Sequence, residues 1–259
     1  MQFSITTALV GLLVGFFVGL TGVGGGVILA PILIFMGIAP SVAVGTDLVY
    51  GSITKLVGTV RNVRDKRVDW RWALTLAAGS IPAGVAGSYL IAYFRNHYGN
   101  AESIVLHCLG CVLVIAAGAN VVSELFVKGK DVVYWADWTP TNNKSRLKVM
   151  AVGAIIGLMV GLTSVGSGSL FAMMLMFTSR LPMPKLVGTD IAHAMLLVAA
   201  SSLAHIDIGT VNYGLAGNLL IGSVPGVLIG GRLMGIVPAR NMKLMICVLV
   251  LLAGAKMLA

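Results

Sequence analysis

Apolar residues in this chain run in long blocks rather than alternating singly. The blocks lie at about 4–20, 26–37, 41–60, 70–95, 101–126, 147–163, 169–179, 184–204, 210–236 and 239–258. Most approach or exceed the roughly 20 residues a helix needs to cross hydrocarbon, whereas 26–37 and 169–179 fall short. A transmembrane β-barrel would show alternating segments of about ten residues, which are absent here. The pattern predicts an all-α polytopic membrane protein with about 8–10 hydrophobic segments. The first block has no basic residue ahead of it and no convincing small-residue cleavage site behind it. It is therefore expected to be a retained span rather than a signal peptide.

The blocks repeat. GLLVGFFVGLTGVGGG at 11–26 matches GAIIGLMVGLTSVGSG at 153–168, an offset of 142. VGTD at 44–47 matches VGTD at 187–190, and SIPAGVAGSYL at 80–90 matches SVPGVLIGGRL at 223–233, both at an offset of 143. One inserted residue reconciles the three, so the chain reads as a duplication: a first transmembrane repeat at 1–126, a cytoplasmic linker at 127–146 and a second repeat at 147–259.

Composition agrees with the pattern. The chain is 58% hydrophobic and only 10% charged, too little polar surface for a soluble domain of this size. Its formal net charge of +9 does not point to nucleic acid, because the basic residues gather between spans. Arg61, Arg64, Lys66, Arg67 and Arg71 form one group; Lys128, Lys130, Lys144, Arg146 and Lys148 form another. Both loops are expected on the cytoplasmic side. The connection matching 61–71 in the second half contains His205, Asp207 and Gly209 but no lysine or arginine, while Arg240 and Lys243 restore a basic loop later. The two halves are thus expected to have opposite orientations, an inverted repeat with both termini outside. Cys108, Cys111 and Cys247 lie in apolar blocks without ligand-spaced partners and read as inert buried thiols.

Glycine occurs in two patterns. Gly11, Gly15 and Gly19, like Gly153, Gly157 and Gly161, place small residues on one helix face every fourth position. Gly79, Ala83 and Gly87, and Gly222, Gly226 and Gly230, do the same. Such stripes let membrane helices approach closely. Pro82 and Pro225 are expected to kink their helices, with Ser80 and Ser223 either satisfying freed carbonyls or facing a pathway.

The clusters Thr21–Gly26 and Thr163–Gly168 are different, because consecutive glycines break a helix and each cluster precedes a short apolar block. Broken backbone at depth is tolerated where it is buried or lines a cavity. The N–H groups of a half-helix starting there form an anion site, with hydroxyls of Thr21, Thr163, Ser164, Ser167 and Ser169 as added donors. A tight turn at the membrane surface is the structural alternative. Neither cluster follows a strand, so dinucleotide binding has little support.

Ionisable residues inside spans are costly and are candidates for function. Asp47 and Asp190 end the two VGTD motifs; either they act in transport or the motif caps a helix with Thr46 or Thr189. Lys55 either neutralises an anion or extends toward the headgroups near Arg61. His193, one turn after Asp190, either handles protons or packs as a bonded histidine. Asn120 and Asn218 are span-internal without an assigned role.

GLTGVGGG, followed by VGTDLVYGSITKLVGT at 44–59, a Val68-Asp69-Trp70 helix start and SIPAG, resembles the TauE/SafE family of sulfite exporters across nearly the whole chain. The resemblance implies a multi-pass permease of the bacterial inner membrane that moves sulfite, thiosulfate, sulfonates or related organosulfur anions. Many family members carry serine where this chain has Asp47 and Asp190, and Ser164 and Ser167 replace glycines in the second cluster.

Together these observations predict a secondary transporter working by alternating access, with Gly-rich broken or re-entrant helices near the midplane. The expected anion ligands are Thr21, Gly22, Gly24, Gly25, Gly26, Lys55, Thr163, Ser164, Gly166, Ser167, Gly168 and Ser169. Asp47, Asp190 and His193 are candidates for proton coupling or gating. No catalytic residue, metal or cofactor is expected. The expected partners are the sulfur oxyanion or sulfonate and membrane lipid, not nucleic acid. A homodimer is left open, since the sequence does not fix the oligomeric state. A passive anion channel and a non-transporting scaffold are the competing readings.

Overall fold

A computed structural model describes residues 4–21, 25–126, 138–233 and 239–259, with side chains at all of these except 21, 122–126, 231 and 239–244. The described residues form helices α1 (Ile5–Thr21), α2 (Gly26–Phe35), α3 (Pro40–Arg64), α4 (Trp70–His97), α5 (Ala101–Phe126), α6 (Asn143–Thr163), α7 (Leu170–Thr178), α8 (Met183–Asp207), α9 (Tyr213–Leu233) and α10 (Ala239–Leu258). The apolar blocks predict these bounds to within about four residues. Helix α6 opens four residues ahead of its apolar block, because Asn142 caps it through its side chain. Among the described residues, five helices are long and apolar enough to span a membrane: α4, α5, α6, α8 and α9. Helices α2 and α7, with 10 and 9 residues, extend only about 15 Å and about 14 Å and cannot cross alone.

The glycine stripes zip helices together across the duplication. Helix α1 packs on α9, and α6 packs on α4, each pair running parallel. A Cβ on Gly11 or Gly15 would strike the backbone of Leu219 or Ser223; on Gly153 or Gly157 it would strike that of Leu76 or Ser80. The partner stripes answer: Gly222, Gly226 and Gly230 rest on the backbone of α1, while Gly79 and Gly87 rest on α6. These contacts correspond position by position under the offsets of the sequence repeat. Close backbone approach replaces the hydrophobic drive that lipid removes.

Helices α3 and α8 cross at the centre in antiparallel sense. Gly45 lies against His205 and Thr210, Gly51 against Val198, and Thr59 against Ile191. Gly110 and Gly254 bring α5 and α10 together, also antiparallel. Equivalent helices that pair antiparallel are related by a two-fold axis perpendicular to their length. Helix α1 starts level with the start of α9, and α3 starts beside Thr210, so α2 returns to the end from which α1 set out. Helices α6 and α7 make the same excursion from the opposite end, since α8 begins beside Arg67 and Asp69.

The VGTD motifs do not cap helices. Helices α3 and α8 start seven residues earlier, at Ala39-Pro40 and Pro182-Met183, where proline supplies the helix-starting φ. Gly45 and Gly188 instead let the helix touch the carbonyls of Thr210 and Arg67, which are equivalent positions in the opposite half. Thr46 Oγ1 accepts from the N–H of Asn212, and Thr189 Oγ1 accepts from the N–H of Asp69, again an equivalent pair. Asp69 in turn caps α4 by accepting from the amides of Arg71 and Trp72. Thr189→Val removes one such bond while keeping the shape. It is expected to lower stability by about 1 kcal/mol, read from a detergent melt.

Ser80 and Ser223 reach the facing central helix rather than carbonyls of their own helices, as described below. Helices α4 and α9 run unbroken through Pro82 and Pro225. None of the three cysteines is in a disulfide; Cys247 is buried, Cys108 is half-buried and Cys111 is exposed, contrary to the expectation of three buried thiols.

Candidate functional site

The two broken segments converge where α3 passes. Gly26 opens α2, with the carbonyl of Gly25 accepting from Ile28 and Leu29. A Cβ on Gly26 would lie 2.7 Å from Asp47 Oδ2 and 2.8 Å from the carbonyl oxygen of Ser164, so only glycine admits both neighbours. The first cluster therefore touches the second, and Asp47 sits in the contact. Gly22 and Gly24 lie outside the described residues, as does the side chain of Thr21.

In the second cluster each residue has a separate task. Thr163 Oγ1 donates to the Met159 carbonyl and accepts from the Val165 amide, which ends α6. Ser164 adopts a left-handed conformation with φ 60°, and Gly166 has φ 98°. The first costs a non-glycine residue of the order of 1 kcal/mol and turns the chain out of the helix. Ser167 Oγ accepts from Lys55 Nζ at 3.1 Å. Gly168 and Ser169 lead into α7, and the hydroxyl of Ser169 is buried.

Lys55 is the pivot of this region. It lies within about 5 Å of the middle of α3 along the axis, and it points inward to Ser167 rather than toward headgroups. Asp47 precedes it by about two turns on α3, and Asp190 lies on the facing helix α8. Because α3 and α8 are antiparallel, the two carboxylates lie on opposite sides of this centre, separated along the helices by about 18 Å. Lys55 has no counterpart: Val198 occupies the equivalent position of α8. The two halves share a scaffold but not a charge.

A second matched pair flanks the centre. Tyr50 Oη and Ser223 Oγ share a hydrogen bond, and Ser80 Oγ shares one of 2.8 Å with His193 Nε2. Tyr50 and His193 are equivalent positions, as are Ser80 and Ser223. Each bond joins a central helix to the glycine-zipped helix beside it. His193 is 0% exposed and meets the edge of Phe171 at 4.3 Å. Tyr50 was absent from the sequence-based candidates, although applying the repeat offset to His193 identifies it. His205 bonds Thr210 Oγ1 and the Gly161 carbonyl, a packing role.

Among the described residues, Asp47 Oδ1, Ser164 Oγ, Ser169 Oγ, Ser179 Oγ, Asp190 Oδ1, His193 Nδ1 and Ser201 Oγ are buried without a hydrogen-bond partner. Buried groups of this kind are ordinarily paired, so Asp47 and Ser164, which meet at Gly26, mark a place where ligands or water belong. No three His, Cys, Asp or Glu side chains converge on a metal position among the described residues.

Comparisons with known proteins agree with this architecture. The family model described as Sulfite exporter TauE/SafE matches residues 7–257. The chain is 42% identical over 255 residues to Probable membrane transporter protein YjnA of Bacillus subtilis, covering 98% of this chain and all of that one. It is 29% identical to Probable membrane transporter protein YunE of the same organism, covering 90% and 87% of the two chains. With Probable membrane transporter protein MJ0441 of Methanocaldococcus jannaschii it shares 23% identity, covering 79% and 73%. No solved structure matches the chain. With its helical spans, its duplicated glycine breaks and a family match over nearly its full length, the chain belongs to the TauE/SafE sulfite exporter family and is a multi-pass membrane transporter.

Proposed function

We propose that the protein is a secondary permease of the bacterial inner membrane for a small sulfur-containing anion such as sulfite, thiosulfate or an organosulfonate. The observation that carries this reading is the inward-facing Lys55, bonded to Ser167 where the two broken segments meet. An ammonium held at the centre of a helical bundle, beside the start of a half-helix and several unpartnered hydroxyls, supplies the charge and donors an oxyanion requires. Gly25, Gly26, Ser164, Gly166, Ser167, Gly168 and Ser169 are the proposed ligands, with Thr163 fixing the turn that follows α6. Thr21, Gly22 and Gly24 complete the proposed set from the first cluster.

The helix directions support an inverted arrangement of the two halves, with the end bearing Arg61, Arg64, Lys66, Arg67, Arg71 and Lys185 on the cytoplasmic side. Alternating access follows if the zipped pairs α1–α9 and α4–α6 rock against the central α3–α8 pair, breaking and remaking the Tyr50–Ser223 and Ser80–His193 bonds. Asp47, Asp190 and His193 are placed to carry coupling charge or to gate.

The test is anion flux in proteoliposomes containing the purified full chain, with sulfite, thiosulfate, sulfoacetate and taurine supplied singly. Accumulation of at least one of them against its gradient, abolished when the ion gradients are collapsed, is the expected result. Uptake indifferent to those gradients would make the protein a channel, and absence of flux for all anions would leave a scaffold.

A further inference from the structure

We propose that Asp47 and Ser164 form a sodium site that couples to the anion held at Lys55 and Ser167. This inference rests on the permease reading above, but the site itself is defined by separate atoms. The loop from Ser164 to Ser169 faces α3 in two places. Three residues apart, Ser167 accepts from the base Lys55, and Ser164 comes up beside the acid Asp47 at Gly26.

The oxygens at the acidic end are acceptors in excess. Asp47 Oδ2 and the Ser164 carbonyl both rest on the bare Cα of Gly26, within 3 Å of a single point: 2.7 and 2.8 Å from where a Cβ would be. Asp47 Oδ1 and Ser164 Oγ are unpartnered, and both residues are only 3% exposed. Helix α6 ends here, so the negative end of its dipole and its last free carbonyls point the same way. The left-handed turn at Ser164 takes the chain out of α6 where its carbonyl lies beside Asp47 at Gly26.

A carboxylate, a carbonyl and a hydroxyl converging from separate chain segments are the oxygen ligands a hard cation takes. Unwound backbone and half-helix C-terminal ends hold coupling cations in transporters generally. The absence of a multi-carboxylate cluster among the described residues favours a monovalent ion over calcium. A cation at Asp47 leaves Lys55 free to face the anion, and the anion neutralises the ammonium that would otherwise repel the cation. Each ion therefore raises the affinity for the other by the same factor.

The experiment uses purified full-length protein in detergent at one fixed pH, with sodium, potassium and N-methylglucamine chlorides at equal ionic strength. Thermal stability is read first without any sulfur anion, then sulfite and thiosulfate binding are read in each salt. Sodium alone is expected to raise the melting temperature, and to raise anion affinity by about tenfold, a coupling within the usual range. Ser164→Ala and Asp47→Asn should each abolish the sodium response, whereas Asp65→Asn, at the exposed end of α3 beside Arg67, should retain it. If Asp47→Asn fails to fold, Ser164→Ala and the wild-type salt series still decide. Equal behaviour in the three salts overturns the sodium site, as does a sodium response that survives both substitutions at Asp47 and Ser164. Sodium stabilisation without binding of any sulfur anion would support the cation site while overturning the anion reading. Anion binding indifferent to sodium would do the reverse.

Discussion

Lys55→Met is expected to reduce anion uptake by about 100-fold or more while leaving a folded, membrane-inserted protein. Two effects compete in this substitution. A hydrogen bond from a charged donor to an anion is worth about 3 kcal/mol at the upper end of the usual range, which corresponds to about 100-fold in affinity. Leaving an anion in a low-dielectric site without a counter-charge adds to that loss. Against this, Lys55 is half-buried and removing its ammonium relieves the desolvation it carries, so the empty protein loses little stability. Function should therefore fall much further than folding. Ser167→Ala separates the contributions: it deletes the hydroxyl that Lys55 contacts but keeps the charge, and it should cost about tenfold at most. Lys55→Arg keeps the charge on a planar fork and should recover part of the flux. The measurement is initial uptake into proteoliposomes at matched protein density, with a melt on each variant. If Lys55→Met transports as well as wild type, the anion does not sit at this lysine.

Most of the fold could be read from the chain because lipid imposes a simple rule: backbone must be helical where it meets hydrocarbon. Apolar blocks then give helix bounds almost directly, and the two short blocks correctly give half-length helices. The small-residue stripes were likewise readable, since four-residue spacing puts glycines on one face. What they pack against was not. The partner of the Gly11 stripe lies in the other half, on α9, and a repeat detected by similarity does not say that its halves exchange helices.

The VGTD motif shows the same limit within four residues. Threonine and aspartate after a turn region suggest a cap, and the competing signal was proline six to eight residues before the aspartate, at Pro40 and at Pro182 and Pro184. Its glycine and threonine turn out to dock the connection before α9 or α4 of the opposite half. Only the aspartate remains for the centre. Tyr50 was missed for a related reason. A tyrosine in an apolar helix gives no signal alone, and its meaning comes from matching His193, with Ser223 matching Ser80.

Gly161→Leu should abolish recovery of folded protein, and Gly161→Ala alone should destabilise it by several kcal/mol. A Cβ at this position would lie 1.9 Å from the carbonyl oxygen of Gly84, 2.7 Å from its carbonyl carbon and 3.0 Å from its Cα. All three obstacles are backbone, so no rotamer change relieves them and the two helices must separate. Inserting even one methylene into a filled core costs about 1–3 kcal/mol, and more where neighbours cannot yield. Separation also breaks the bond from His205 Nε2 to the Gly161 carbonyl, which ties α8 to this crossing. The damage therefore reaches the central pair as well as the zipped one. Gly118→Ala in α5 is the control of opposite sign. Nothing lies within 4 Å of its Cβ position, and alanine is favoured over glycine inside a helix by about 0.5–1 kcal/mol. Melting both variants in one detergent decides between two views of these glycines. If Gly161→Ala and Gly118→Ala behave alike, glycine content merely loosens the helices. If they diverge in sign, the glycines of the zipped faces are contacts, and rigid pairs moving against α3 and α8 become the natural mechanical units.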